Sequence, residues 1–148
     1  IVPLEMGLEQ HDEPVGDRPA STRFARVALA SEHLHPDGMR VCPALLALDP
    51  VTGRKHQLRL HAKSLGAPLL GDRANGGARR LTAEDGSVLE IPRIMLHAAK
   101  LELARSDGTL WVVVGPQALD LAETWRSLGG VAGDVERAME AATDLCSC

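Results

Sequence analysis

Thr52-Gly53-Arg54-Lys55-His56-Gln57-Leu58-Arg59-Leu60-His61-Ala62-Lys63-Ser64-Leu65-Gly66 is the stretch from which the rest of the chain is read. Leu58, Ala62 and Leu65 recur at helical spacing and stack on one face, while His56, Arg59 and Lys63 stack on another. The spacing predicts a helix over Arg54 to Leu65, closed by Gly66 as a C′ residue. Such a helix buries one stripe and presents a cationic one. Asp49 to Gly53, just before it, has the composition of a turn.

Upstream, Phe24, Val27 and Leu29 mark a strand over Ser21 to Ala30, and Val41 to Leu48 is a second apolar run. Between them His35-Pro36-Asp37-Gly38 supplies turn chemistry, so the two runs are expected as antiparallel strands joined there. Residues 1–20, rich in Pro and acidic groups, read as an extended opening segment with a loop around Glu13 to Asp17. Downstream, Ala67 to Asp72 is a short extended piece and Asn75 to Gly86 an exposed basic loop. Ile94 to Leu103 and Leu110 to Val114 form a second expected hairpin about the turn Arg105 to Gly108. Residues 117–148 turn helical: Leu121, Trp125 and Leu128 share a face, and Asp134 is placed to N-cap a helix that buries Val135, Ala138, Met139, Ala142 and Leu145. The expected fold is therefore α+β, a mostly antiparallel sheet with a central basic helix and C-terminal helices, in a single domain over 1–148.

Composition bounds this reading. At 45% hydrophobic and 24% charged residues, the 148-residue chain falls in the globular range and has enough length for a core. With one Phe, two Trp and no Tyr, that core rests on aliphatic side chains, and chemistry that needs a tyrosine must find it elsewhere. The apolar runs are too short to span a bilayer, so a soluble chain with no membrane partner is expected. Cys42, Cys146 and Cys148 are odd in number and lack further ligands at zinc spacing, which favours free thiols over a disulfide framework or a metal site.

Charge is the informative quantity. Seven basic residues lie between Arg54 and Arg80 (Arg54, Lys55, Arg59, Lys63, Arg73, Arg79, Arg80) against one acidic residue, Asp72, giving +6. The remainder holds 9 basic and 19 acidic residues, or −10, which together make the net −4. A cationic segment on an acidic body is the footprint of a polyanion-binding face, although basic surfaces that only face solvent are also common.

The segment from Thr52 to His61, followed by Gly66-Ala67-Pro68-Leu69-Leu70-Gly71-Asp72, resembles the signature of RluA/RluD-type pseudouridine synthases, TGR-x-HQ(L/I)R-x-H and then G-x-P-(I/L)-x-GD. Arg93 with Leu96-His97-Ala98-Ala99-Lys100-Leu101 is similar to the same family's R-x-x-LHA-x-x-L block. The resemblance covers roughly residues 21–115 and implies the C-terminal part of that catalytic domain. Two departures stand out: Arg73-Ala74-Asn75-Gly76 where the family has an aromatic after GD, and Gly115-Pro116 in place of Ala-Pro-x-Pro. The family's HRLD-x-x-(T/S)SG block, which carries its catalytic Asp, and the tyrosine block after it are not in these 148 residues.

From the resemblance follow isomerase activity on uridine in ribosomal, transfer or messenger RNA, no cofactor and no metal. It implies that Arg59 holds the catalytic carboxylate ionised, that Arg54, His56 and Lys63 meet RNA phosphates, and that Leu60 lines the base pocket. It also implies that the 148 residues by themselves are inactive. Asp49 and Asp72, the carboxylates near the helix, read as turn residues rather than substitute nucleophiles. His61 and His97 lack a third zinc ligand and read as satisfied core histidines. The alternative is a non-catalytic RNA-binding or ribosome-assembly module on the same fold. Compartment is not readable beyond intracellular; the acidic body and altered loop lean towards a eukaryotic, mitochondrial member, and the resemblance implies a part in ribosomal RNA processing.

Overall fold

In the computed structural model, which describes residues 8–145, every strand pairing is antiparallel, but the strands divide among three sheets rather than one. The first contains β1 (Leu8–Asp12), β2 (Ser21–Leu29) and β5 (Ala44–Pro50), with β2 at the centre. The second runs in the order β4 (Arg40–Val41), β3 (His33–Leu34), β6 (Arg80–Thr82), β7 (Val88–Glu90). The third is the hairpin of β8 (Lys100–Ala104) and β9 (Leu110–Val114). Three helices complete the α+β arrangement: α1 (Gln57–Ser64), α2 (Leu119–Ser127) and α3 (Asp134–Leu145).

Alternation along β2 buries Thr22, Phe24 and Arg26 on one face. The predicted strand is therefore present, with Phe24 in the core and Leu29 exposed. It pairs with β5 from Thr22↔Pro50 to Leu29↔Ala44, past an irregularity at Arg26/Ala28. The turn His35 to Gly38 does not join these two strands. It closes the separate two-residue hairpin β3–β4, with His35 N–H donating to Met39 O at 2.8 Å, so the connection from β2 to β5 makes an excursion into the second sheet.

The extended reading of the opening segment fits β1, which pairs with β2 from Leu8↔Ala25 to Asp12↔Ser21. Three further expectations need correction. Asp49 is a strand residue in β5, in register with Arg23, and not part of a turn. Residues 75–86 are not one exposed loop: Arg80–Thr82 form β6, in which Leu81, at 1% exposure, is among the most buried side chains, and Ala78 is buried before it, while Arg79 and Arg80 are exposed. The strand expected over Ile94 to Leu103 begins only at Lys100. The reason is Arg93, whose Nη1 donates to Ile94 O at 2.8 Å and Leu96 O at 2.9 Å, curling the chain around a guanidinium that Asp120 holds from the other side.

The C-terminal helices follow the sequence pattern. Trp125, Leu128 and Val135 join Ala78 and Leu81 in the core, with half-buried Leu45, Leu70 and Leu121 packed against it. Asp134 opens α3, and its carboxylate accepts from Trp125 Nε1 and Val131 N, both at 2.9 Å, tying α3 to α2. α3 packs on β5 and β2. Residues 146–148, with Cys146 and Cys148, and residues 1–7 lie outside the described residues; Cys42 is a free, exposed thiol. No helix among the described residues is long and apolar enough to cross a membrane.

Candidate active site

The helix expected from Arg54 starts three residues later, at Gln57, because His56 takes the left-handed conformation with φ 60° and breaks the run. What replaces its first turn is a side-chain lock. Gln57, almost fully buried, accepts at Oε1 from Thr52 Oγ1 (2.7 Å) and Arg54 N (3.0 Å), and donates from Nε2 to Ser21 O (2.8 Å) and Thr22 Oγ1 (3.0 Å). One amide thus fastens the turn, the helix start and the end of β2.

His61, one turn on, is buried. Its Nε2 lies 2.8 Å from Glu13 O, and a carbonyl can only accept, so Nε2 carries the proton. Nδ1 lies 2.9 Å from Thr22 Oγ1. This is the satisfied core histidine that the sequence suggested. His97 lies in another part of the chain, with Nε2 2.8 Å from Pro116 O. Among the described residues no group of three His, Cys, Asp or Glu is placed to hold a metal ion.

With α1 fixed from within, Arg59 projects towards the segment after the helix. Its Nε donates to Asp72 Oδ2 and its Nη2 to Asp72 Oδ1, both at 2.7 Å, a two-point grip on a carboxylate that is 1% exposed. Asn75 Nδ2 adds a third bond to Oδ2 at 2.8 Å. Hydrogen bonding from Arg59 outweighs burial and, with Asn75, holds the Asp72 carboxyl down to about 2, while the carboxylate raises the Arg59 guanidinium above its usual value. Nη1 of Arg59 makes only a 3.5 Å approach to His56 Nδ1.

Asp72 is therefore more than the turn residue that the sequence suggested. It does precede the short 3-10 turn Arg73–Asn75, and its backbone carbonyl accepts from Asn75 N and Gly77 N, but its side chain belongs to Arg59. One signal could have found it: Asp72 is the single acid among seven bases. Asp49 pairs instead with Arg23, whose Nε donates to Oδ2 at 3.0 Å.

The other expected site residues are brought together in part. His56, Arg59, Leu60 and Lys63 follow one side of α1, with Leu60 N donating to His56 O, and Lys63 is exposed. Leu60 is half-buried but does not line the large apolar groove of about 970 Å³, which borrows Leu58 from this helix. Arg54 turns away, its Nε donating to Pro19 O at 3.1 Å. Lys55, Lys63, Arg73, Arg79 and Arg80 are exposed, and none makes an ion pair among the described residues. A guanidinium with one edge filled, amid unpaired cations, is equipped to hold a second anion and to attract a polyanionic chain.

Parts of the chain are similar to known proteins. A ribosomal large subunit pseudouridine synthase D from Borreliella burgdorferi is 50% identical over 60 residues, covering 40% of this chain and 16% of that protein. The dual-specificity RNA pseudouridine synthase RluA of Escherichia coli is 36% identical over 88 residues, 58% of this chain and 32% of its own. A tRNA pseudouridine synthase C of Pectobacterium carotovorum is 43% identical over 60 residues, 40% of this chain and 16% of its own. No family model matches the chain. All three relatives are enzymes that modify uridine in RNA, by their names. Over parts of its length the chain is thus similar to pseudouridine synthases of the RluA, RluD and tRNA pseudouridine synthase C types, and it spans 16–32% of the length of these relatives.

Proposed function

We propose that this chain is the C-terminal portion of the catalytic domain of an RNA pseudouridine synthase, one folding unit over 1–148, and that the complete protein converts uridine to pseudouridine. The carrying observation is Arg59: a guanidinium locked on one edge by a buried carboxylate, within a cationic segment of a chain similar to named pseudouridine synthases.

The isomerisation breaks the bond between C1′ and N1, turns the base and rejoins it through C5, on a nucleotide taken out of its stack. A carboxylate does this work and must stay ionised in a site from which water is excluded, which requires a cation held against it. Arg59 supplies that cation to an aspartate outside these residues. Lys63 and His56, exposed beside it, meet phosphates of the distorted strand; Leu60 offers an apolar contact to the base. Arg54, bonded to Pro19 O, contributes to holding the turn, with its Nη groups left for phosphate. The RNA is ribosomal or transfer RNA, the classes named in the relatives.

The test uses the complete protein and the 148-residue chain on unmodified transcripts of ribosomal and transfer RNA, with pseudouridine read by chemical labelling. Turnover by the complete protein and none by the chain is the expected result. Turnover by the chain alone places the reacting carboxylate within it; RNA binding without turnover by the complete protein supports a non-catalytic RNA-binding module instead.

A further inference from the structure

Asp72 poses a question of energetics. A carboxylate at 1% exposure paired to a guanidinium is costly to desolvate, and apolar replacements for such pairs are often as stable or more so. Stability alone is a weak reason for the pair, so its geometry is the place to look.

The segment that carries Asp72 is wound unusually tightly. Gly71 N donates to Ala78 O (2.7 Å), Asp72 N to Leu69 O (3.0 Å), Gly77 N to Asp72 O (2.8 Å) and Met95 N to Leu70 O (2.8 Å). A Cβ on Gly71, at φ +82°, would stand 1.9 Å from Arg93 O, and one on Gly77 would stand 1.9 Å from Leu69 O. Backbone therefore closes on backbone at both ends, and the carboxylate has one place to be. Asn75 fixes its Oδ2 from a third direction.

What this bracket holds is one edge of Arg59. Nε and Nη2 are engaged, whereas Nη1 and the outer hydrogen of Nη2 are left on the opposite edge. A free arginine samples many rotamers; one clamped along its Nε side has a single direction in which to present the rest. We propose that Asp72 is a positioning residue, gripping the Nε and Nη2 edge of Arg59 so that its Nη1 side meets the reacting carboxylate of the isomerase. Asn75 serves the same end by fixing Asp72. This inference rests on the function proposed above.

The experiment compares the complete wild-type protein with its Asp72→Asn and Asn75→Ala variants in single-turnover pseudouridine formation at saturating enzyme. The rate is followed across pH, RNA affinity is measured alongside, and thermal unfolding serves as the folding control. Asparagine keeps the shape but points an amide donor at a guanidinium donor, so the two-point grip is lost. The expected result is a rate lower by about a hundredfold, the scale of a misplaced catalytic group, with affinity changed by less than about threefold. The pH profile separates positioning from charge. If Arg59 swings away, the reacting carboxylate loses its cation and the acid limb moves to higher pH; if Arg59 stays and only the charge of Asp72 is lost, the limb moves lower.

A higher limb with a slower rate supports positioning, and an unchanged rate or a lower limb overturns it. Should Asp72→Asn fail to fold, Asn75→Ala, which loosens the same carboxylate without removing it, gives the answer. A rate several-fold lower with the same upward move supports the inference, and wild-type behaviour overturns it. Absence of pseudouridine from both RNAs with the wild-type protein overturns the functional reading and this inference together, whereas wild-type turnover with unaffected variants overturns the inference alone.

Discussion

The neighbourhood of α1 and the β8–β9 hairpin are built on opposite terms. Around α1 the buried polar side chains are matched, the Ser21 hydroxyl apart: Gln57 to the β2 end and its own turn, His61 to Thr22 and Glu13, Arg59 to Asp72, Arg23 to Asp49. The hairpin has its backbone ladder from Lys100↔Val114 to Ala104↔Leu110, yet all five residues of β9 are exposed, Trp111 among them. A Leu-Trp-Val-Val-Val run with no alternation suits a strand covered on both faces, and here neither face is covered. The lesson is that the polar part of this chain carries its own geometry, whereas the apolar hairpin is shaped for contacts that the described residues do not supply.

The largest expected effect tests whether the polar geometry serves chemistry. Arg59→Ala in the complete protein should lower single-turnover isomerisation by about a hundred- to a thousandfold, the scale of a lost preorganised charge contact, while RNA affinity falls only modestly. Arg59→Lys should recover little, because an ammonium on a flexible stem lacks the second point of the grip. Near wild-type turnover in Arg59→Ala would reduce Arg59 to a structural partner of Asp72.

Next comes the bracket itself. Gly71→Ala sets a methyl against Arg93 O and strains a positive φ, and about 3 kcal/mol of stability should go with it, read by denaturant unfolding. A smaller loss would mean that the segment relaxes easily and holds Asp72 loosely. Acid unfolding measures the same grip. Asp72 is depressed from 3.8 to about 2 when folded, so its contribution is present above pH 4 and disappears as pH falls towards 2. That contribution is on the order of 2 kcal/mol, and its pH dependence should be missing from Asp72→Asn.

The sequence made some of this legible and concealed the rest for identifiable reasons. Helical spacing revealed α1, but the side-chain lock through Gln57 shortened its start, since a left-handed His56 leaves no mark on periodicity. β2, β9 and the two C-terminal helices follow from apolar pattern alone. The expected strand over Ile94 to Leu103 was shortened by Arg93, a tertiary contact that competes with strand pairing. At the site, Arg59 stood out by motif, whereas Asp72 was hidden because an Asp after Gly reads as a turn whatever its side chain touches 13 residues away. Lys63 is the simplest case, an exposed cation at helix spacing. Lys63→Ala should weaken RNA binding, lower the slope of log affinity against log salt by about one, and leave the bound-state rate intact.

The smallest effect returns to the hairpin and bears most directly on the contrast. Val113 of β9 is exposed at 41%, and threonine matches its shape and strand preference while adding one hydroxyl. In the 148-residue chain that hydroxyl meets solvent, so Val113→Thr should change unfolding free energy by less than about 0.5 kcal/mol. In the complete protein the outcome depends on whether the hairpin is covered. A buried, unpaired hydroxyl costs about 1–3 kcal/mol, so a loss of that size in the complete protein alone shows that the β9 faces are enclosed there. Leu81→Ala is the internal reference, because Leu81 is already in the core and should lose about 2–5 kcal/mol in both proteins. Equal, small effects of Val113→Thr in the two would mean that this apolar surface stays open in the complete protein, and the hairpin would then differ from the α1 region in burial without being shaped for cover.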